Sequence, residues 1–290
     1  MADPVQDLAG FFAGHGPVVE VSVTGTYGSV PRGCDAMMYV AEAATHGTIG
    51  GGQLEWMAMA EARAILQGHR PSGDMNVPLG PDIGQCCGGR VVLRLRRLDA
   101  DGRALAVARL RQARAGLPVV LVLGAGHVGR ALADVLAGMP VHAALIDSRA
   151  DQLALCTADV DTRLTALPEA EIAAAPPGSA FVVLTHDHGL DFLLTSAALA
   201  RRDAAYVGMI GSATKRAKFG RWCRDQGEGV APDGLTCPIG AAGLGDKRPE
   251  VIALMTAAEA VSALGGARNR TLAPPDDDMS ALPARPRMRR

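Results

Sequence analysis

Three groups of residues have the types and spacing to do chemistry. The first is Gly84-Gln85-Cys86-Cys87-Gly88-Gly89, two adjacent thiols flanked by glycine. Neighbouring side chains on a strand point to opposite faces, so only a loop can aim one of these thiols at a ligand. Thiolates suit soft metals and metal-sulfur chemistry, whereas a buried, inert cysteine pair is the plainer alternative. The second is Gly124-Ala125-Gly126-His127-Val128-Gly129, which has the pattern G-x-G-x-x-G. Gly124 permits a tight turn, Gly126 lets backbone approach a phosphate, and Gly129 lets a helix pack close to a strand. Asp147 follows 18 residues beyond Gly129, near the spacing of an acid that binds a ribose hydroxyl. The third is Gly47-Thr48-Ile49-Gly50-Gly51-Gly52, three consecutive glycines (Gly50, Gly51, Gly52) ahead of a helical stretch. Bare backbone there is expected to offer open N–H groups to an anion. A flexible helix entry is the alternative.

Further candidates lie in loops. Arg32, in Gly28-Ser29-Val30-Pro31-Arg32-Gly33, has the fork that suits phosphate or carboxylate. Thr185-His186-Asp187-His188-Gly189-Leu190-Asp191 has metal-ligand residue types, but Asp187 capping a helix is the simpler expectation. Gly211 and Ser212 precede Lys215 by one turn, so Ser212 is placed to cap a helix and Lys215 to meet phosphate. There is no Gly-x-Ser-x-Gly elbow and no Walker loop, and no nucleophile–base pair stands out.

The elements that must position these residues fall into two rhythms. Val18–Thr24, Met37–Val40, Thr48–Ile49 and Val91–Leu98 read as strands, with a helix over Leu54–Gln67 and a loop over Pro71–Gly84. Ala104–Ala115 reads as a polar helix or linker. Then largely apolar runs of strand length, at Val119–Leu123, Val141–Ile146, Ala180–Thr185 and Ala205–Ile210, alternate with helical stretches at His127–Leu136, Phe192–Ala200 and Thr214–Asp225. A helix over Glu250–Leu264 closes the series. Apolar strands alternating with helices require a parallel sheet covered on both faces. The fold class expected is α/β: a small α/β domain over residues 1–100, a linker over 101–117, a Rossmann-like parallel-sheet domain over 118–268 and a disordered tail over 269–290.

The totals exclude several classes. The chain has 290 residues, 48% of them hydrophobic and 20% charged, which is not the composition of a disordered chain. Its 35 glycines exceed the usual share of about 7% without a three-residue period, so it is not collagen. Basic and acidic side chains number 29 and 30, net −1, with no excess to suit nucleic acid. Met1-Ala2-Asp3-Pro4 has neither a basic nor an apolar leader region. Polar residues interrupt the most apolar stretch, so no membrane association is expected and the expected location is the cytoplasm. The six cysteines, at 34, 86, 87, 156, 223 and 237, form no Cys-x-x-Cys knuckles and are expected to be reduced.

Taken in order, Gly28-Ser29 to Arg32-Gly33, Gly47-Thr48-Ile49-Gly50-Gly51-Gly52, Gly84-Gln85-Cys86-Cys87-Gly88-Gly89, Gly124-Ala125-Gly126-His127-Val128-Gly129, Thr185-His186 with Asp191, Gly208-Met209-Ile210-Gly211-Ser212 and Cys237-Pro238-Ile239-Gly240 resemble the XdhC/CoxI family. These are accessory proteins for xanthine dehydrogenase and related molybdenum hydroxylases. The pattern departs at Cys34-Asp35-Ala36, where a glycine is expected before the strand. The resemblance implies a chaperone, not an enzyme, that binds the molybdenum cofactor as cargo, protects it during sulfuration and inserts it into the apo-hydroxylase. It implies a self-associating protein, a homodimer or larger, whose partners are the molybdenum subunit of xanthine dehydrogenase and a cysteine desulfurase. Under that reading Arg32, Gly50, Gly51, Gly52, Gln85, Gly88, Gly124, Gly126, His127, Gly129, Asp147, His186, Gly211, Ser212 and Lys215 hold the cofactor, and Cys86 and Cys87 lie near the molybdenum. The alternative is an NAD(P)-dependent oxidoreductase built on Gly124, Gly126, Gly129 and Asp147, with His186 as its acid or base.

Overall fold

The computed structural model describes residues 3–30, 32–34, 36–80, 88–226, 230–240 and 245–272, the side chains of 226 and 267–272 excepted. The chain divides into two units, Met1–Gly116 and Leu117–Arg290.

The first unit contains α1 (Pro4–Gly14), β1 (Val18–Tyr27), β2 (Met37–Val40), β3 (Thr45–Thr48), α2 (Gly52–Leu66), β4 (Gly73–Pro78), β5 (Arg90–Leu98) and α3 (Ala100–Ala115). Its five strands form one sheet in the order β3-β2-β1-β5-β4, with every pairing antiparallel. Strand alternation sorts the two faces. Val19, Val21 and Val23 of β1 join Leu54, Ala58, Ala62 and Ile65 of α2 in one core. Val18 faces the other way, with Leu8 and Phe12 of α1 and Ala106 of α3. Glu20 shares that second face and is 4% exposed, with its carboxylate held by Arg96 of β5 at 3.4 Å and by Arg109 of α3.

Two expectations are refined here. Of the two readings of Ala104–Ala115, polar helix or linker, the helix is found. It begins earlier, at Ala100, and takes in the segment assigned as linker over 101–117 as far as Ala115, capped by Asp99, whose carboxylate accepts from the Gly102 N–H at 2.8 Å. Arg103 of this helix donates to the carbonyls of Phe12 at 2.8 Å and His15 at 3.3 Å, covering the orphan carbonyls at the end of α1. The second change is β4, which lies inside the segment read as a loop. Met75 pairs with Leu93 and Val77 with Val91 along an edge strand. The breakers Gly73 and Pro78 sit at its two ends, where an edge tolerates them.

The second unit contains β6 (Val119–Leu123), α4 (His127–Leu136), β7 (His142–Asp147), α5 (Ala150–Leu153), β8 (Asp161–Leu164), α6 (Pro168–Ala174), β9 (Ala180–Val183), α7 (His188–Ala200), β10 (Tyr206–Met209), α8 (Ala213–Gln226), β11 (Leu235–Thr236) and α9 (Pro249–Leu272). All six strands are parallel, in the order β11-β10-β9-β6-β7-β8. Val120 and Val122 face Leu132 and Leu136 of α4 and Ala253, Ala257 and Ala260 of α9. Leu121 and Leu123 face Ile172 of α6, Leu194 and Ala198 of α7, and Phe219 of α8. This is the doubly wound order in which the chain reverses direction across the sheet between the first strand and the fourth, here β6 and β9. Helix α9 runs past the expected Leu264 and includes the first residues of the segment read as a tail.

Candidate functional site

In a doubly wound sheet the ligand crevice opens where adjacent strands send their connections to opposite faces. Here that point lies at the carboxyl ends of β6 and β9. A crevice of about 360 Å³ sits there, lined by Gly124, Asp147, Ser148, Thr185 and His186 among others. Of the glycine loop, Gly124 lines it.

The three loop glycines have different reasons to be glycine. Gly124 has φ +129°, and a Cβ there would lie 2.4 Å from the Leu184 carbonyl oxygen. A Cβ on Gly129 would lie 1.9 Å from the Gly124 carbonyl oxygen. Both are fixed by close backbone approach. A Cβ on Gly126 would meet nothing within 4 Å. Gly126 is the N-cap of α4 and makes no side-chain cap, so the uncapped N-terminus faces open space. His127, the first residue of α4, is exposed.

Asp147 behaves differently from expectation. Its carboxylate accepts from the Ala125 N–H at 2.7 Å, the Arg149 N–H at 2.9 Å, and Arg149 Nε and Nη2 at 2.9 and 2.8 Å. These four bonds fill the acceptor capacity of a carboxylate. Burial alone would raise the Asp147 pKa, but the Arg149 fork and the Ala125 and Arg149 N–H groups outweigh it and bring the value down to about 2. Asp147 therefore fastens the glycine loop to the end of β7. It presents no free carboxylate to a ribose diol.

Asp191 fastens the facing loop. It is 1% exposed, accepts from the Thr185 N–H at 2.9 Å and Thr185 Oγ1 at 2.7 Å, and pairs with Lys215 Nζ. Lys215, expected to meet phosphate, is thus committed to a carboxylate. Ser212 caps α8 as expected, its hydroxyl accepting from the Lys215 N–H at 3.3 Å. Asp187 caps α7, accepting from the Leu190 N–H at 2.7 Å. His186 is exposed at the rim of the crevice. Gly211 and Ser212 follow β10, on the same carboxyl edge of the sheet. Among the described residues no group of three or more His, Cys, Asp or Glu is placed to hold a metal ion.

In the first unit the triple-glycine loop is already filled. Glu55 Oε1 accepts from the N–H groups of Ile49 at 2.9 Å, Gly50 at 3.3 Å and Gly51 at 2.9 Å, and from the Thr48 hydroxyl. Burial would raise the Glu55 pKa, yet the Thr48 hydroxyl and the Gly51, Ile49 and Gly50 N–H groups together lower it. The nest expected to receive an external anion holds the chain's own carboxylate. Gly50, Gly51 and Gly52 all have positive φ, at 127°, 81° and 65°, which lets successive N–H groups point at one oxygen. Arg32 is exposed, and so is Gly88, which forms an isolated parallel bridge with Ser29. Gln85, Cys86 and Cys87 lie outside the described residues.

Sequence reasoning missed the two residues that close these loops, Glu55 and Arg149. Glu55 carried a signal, an acid one turn into a helix behind a glycine run, as in a capping box. Arg149 carried only its place two residues after Asp147.

A doubly wound unit with this glycine loop, preceded by an antiparallel unit, defines a two-part α/β protein of the dinucleotide-fold class. Residues 12–75 match the model of the XdhC and CoxI family, and residues 120–260 match that of the XdhC Rossmann domain. The chain belongs to the XdhC/CoxI family. It is 26% identical over 256 residues to the Escherichia coli (strain K12) "Uncharacterized protein YqeB", covering 84% of this chain and 43% of that relative. The chain thus spans less than half the length of that curated relative. A crystal structure described as a xanthine dehydrogenase from Bacillus halodurans is similar in fold, with TM-score 0.77, 17% identity, and coverage of 94% of this chain and 98% of that one. No helix among the described residues is long and apolar enough to cross a membrane.

Proposed function

We propose that the protein is an accessory factor of xanthine dehydrogenase that carries the molybdenum cofactor as cargo, shields it while its molybdenum acquires a terminal sulfide, and delivers it to the apo-hydroxylase in the cytoplasm. The observation that carries this reading is the match of both family models, in order, along one chain. The chemistry of the loops suits such a cargo. A terminal phosphate finds the uncapped N-terminus of α4 beside Gly126. Cys86 and Cys87 have the soft donors that a metal-sulfur centre prefers. The role needs no turnover of a metabolite, only holding and release. A cysteine desulfurase as sulfur donor, the molybdenum subunit as recipient and a homodimer or larger assembly belong to the same proposal.

The oxidoreductase alternative has less to stand on. Its ribose-binding acid, Asp147, is fully engaged within the chain. His186, exposed beside the crevice, is its one acid or base candidate. Anaerobic purification from a host that makes the cofactor, followed by mass spectrometry and metal analysis, tests the main reading. Pterin and molybdenum recovered together are expected. Protein that carries neither, from a host in which an apo-hydroxylase accumulates, would count against it.

A further inference from the structure

The end of β7 is built as a donor surface. In a doubly wound fold the residue closing the second strand reads the ribose hydroxyls when its carboxylate is free, and a nearby arginine accommodates a 2′-phosphate. Here the Asp147 carboxylate is saturated, with two of its four donors on the Arg149 guanidinium. A guanidinium has five N–H donors. Arg149 uses Nε and one N–H of Nη2 on Asp147, and among the described residues no other partner engages the rest. Its side chain is 31% exposed, and the neighbouring Ser148 is exposed and lines the crevice. The fork on Asp147 fixes the plane of Arg149, so its outer edge is pre-oriented.

A second guanidinium lies by the same loop. Arg130 of α4 donates from Nη1 to the Ala125 carbonyl at 2.5 Å and to Gln152 Oε1 at 3.1 Å. The acids nearby are Asp147, already neutralised by Arg149, and the exposed Asp151, which accepts from Gln152 at 3.0 Å and adds a favourable field to Arg149. A 2′-hydroxyl would find the Asp147 carboxylate already filled, whereas a 2′-phosphate would meet the unengaged N–H groups of Arg149 and the Ser148 hydroxyl.

We propose that the second unit binds a nucleotide carrying a phosphate on its ribose 2′ position, read by Arg149 with help from Ser148, and that it discriminates against the 2′-hydroxyl form. This goes beyond the cargo role and does not rest on it, because the probes contain neither pterin nor molybdenum. It is a binding specificity and assigns no hydride transfer.

The test is titration calorimetry on the full chain, freed of cofactor, with 2′,5′-ADP against 5′-AMP and NADPH against NADH, at two salt concentrations. The phosphorylated member of each pair is expected to bind about tenfold tighter or more, the usual worth of a charged hydrogen bond. Arg149→Ala is expected to erase that difference, and Arg149→Lys to restore only part of it, since an ammonium cannot fork onto Asp147. Circular dichroism checks that both variants fold. Because Arg149 also holds Asp147, Ser148→Ala gives a second reading that leaves the fork intact, with a smaller loss confined to the phosphorylated ligands. Equal affinity within each pair, preference for the 2′-hydroxyl form, or no binding of any of the four at millimolar concentration would overturn the proposal. Any of these results leaves the cargo role to its own experiment.

Discussion

Asp191 and Lys215 form a buried ion pair at the carboxyl edge of the parallel sheet, with Asp191 1% exposed and the Lys215 side chain 11% exposed. Asp191 also holds the Thr185 loop. Removing one partner of such a pair leaves an uncompensated charge, at a cost of about 3–5 kcal/mol. Lys215→Met should therefore lower the stability of the second unit by an amount in that range. The double variant Lys215→Met with Asp191→Leu should recover part of it, as urea unfolding will report. If Lys215→Met leaves stability unchanged while weakening anion binding, Lys215 serves a ligand and not Asp191.

The glycine loop separates stability from binding. Gly129→Ala puts a Cβ 1.9 Å from the Gly124 carbonyl, so it should destabilise the unit by about 1–3 kcal/mol or more. Gly126→Ala meets open space at an ordinary φ of −68°, so it should change stability by less than about 0.5 kcal/mol. Its added methyl stands where a phosphate would approach, so ligand affinity should fall. Thermal unfolding and ligand titration of both variants check the contrast.

Asp147 makes the second unit acid-sensitive. Its folded pKa, about 2, lies below the unfolded value near 3.8. A depressed carboxylate contributes stability that is present above the unfolded pKa and lost as pH falls toward the folded one. The contribution is about 2 kcal/mol at neutral pH and should fade between about pH 5 and pH 2. Urea unfolding of the wild type and Asp147→Asn across that range should show a shallower acid slope for the variant.

Glu55 closes the triple-glycine nest, so its loss should loosen that nest. Glu55→Ala strands the N–H groups of Ile49 and Gly51, at a cost of about 1–3 kcal/mol. Hydrogen exchange at Gly50 and Gly51 should accelerate, and Glu55→Gln should sit between the two. Unchanged protection at those amides would mean that Glu55 does not hold the loop.

Under the cargo reading, Cys86→Ala and Cys87→Ala should each reduce the cofactor recovered with the anaerobically purified protein, and the double variant more so. Near-normal retention in the double variant would remove the thiols from the proposed role.

Much of this architecture could be read from residue order. The continuous apolar run Val119–Leu123 and the helix His127–Leu136 stand where the pattern places them, because a strand buried on both faces and a glycine-initiated helix leave strong local signals. Strand β4 was hidden because its breakers, Gly73 and Pro78, lie at strand ends, and its pairing partner is β5, beyond the Gly80–Gly88 segment. Strand β8 was hidden because Asp161–Leu164 is exposed along its length and alternation has nothing to report. The site was legible as a set of loops but not as a set of roles. Asp147, Lys215 and the Gly50–Gly52 nest all have the chemistry expected of them. Each is satisfied by a neighbour in the same chain, Arg149, Asp191 and Glu55 respectively, and composition cannot show who reaches whom.

Glu20 bears on the order in which the chain is made. It sits in the central strand of the first sheet, and its two cationic partners are Arg96 and Arg109. The ladder that flanks it pairs Val18–Tyr27 with Arg90–Leu98, across about sixty residues of intervening chain, and such distant pairings form late. On the ribosome, β1 therefore emerges with one edge unpaired and a carboxylate awaiting its counter-ions. The sheet cannot close dry until α3 has left the exit tunnel. Nascent chains arrested before Arg109 should stay protease-sensitive in β1, and the helix at the junction of the two units becomes the step that completes the first.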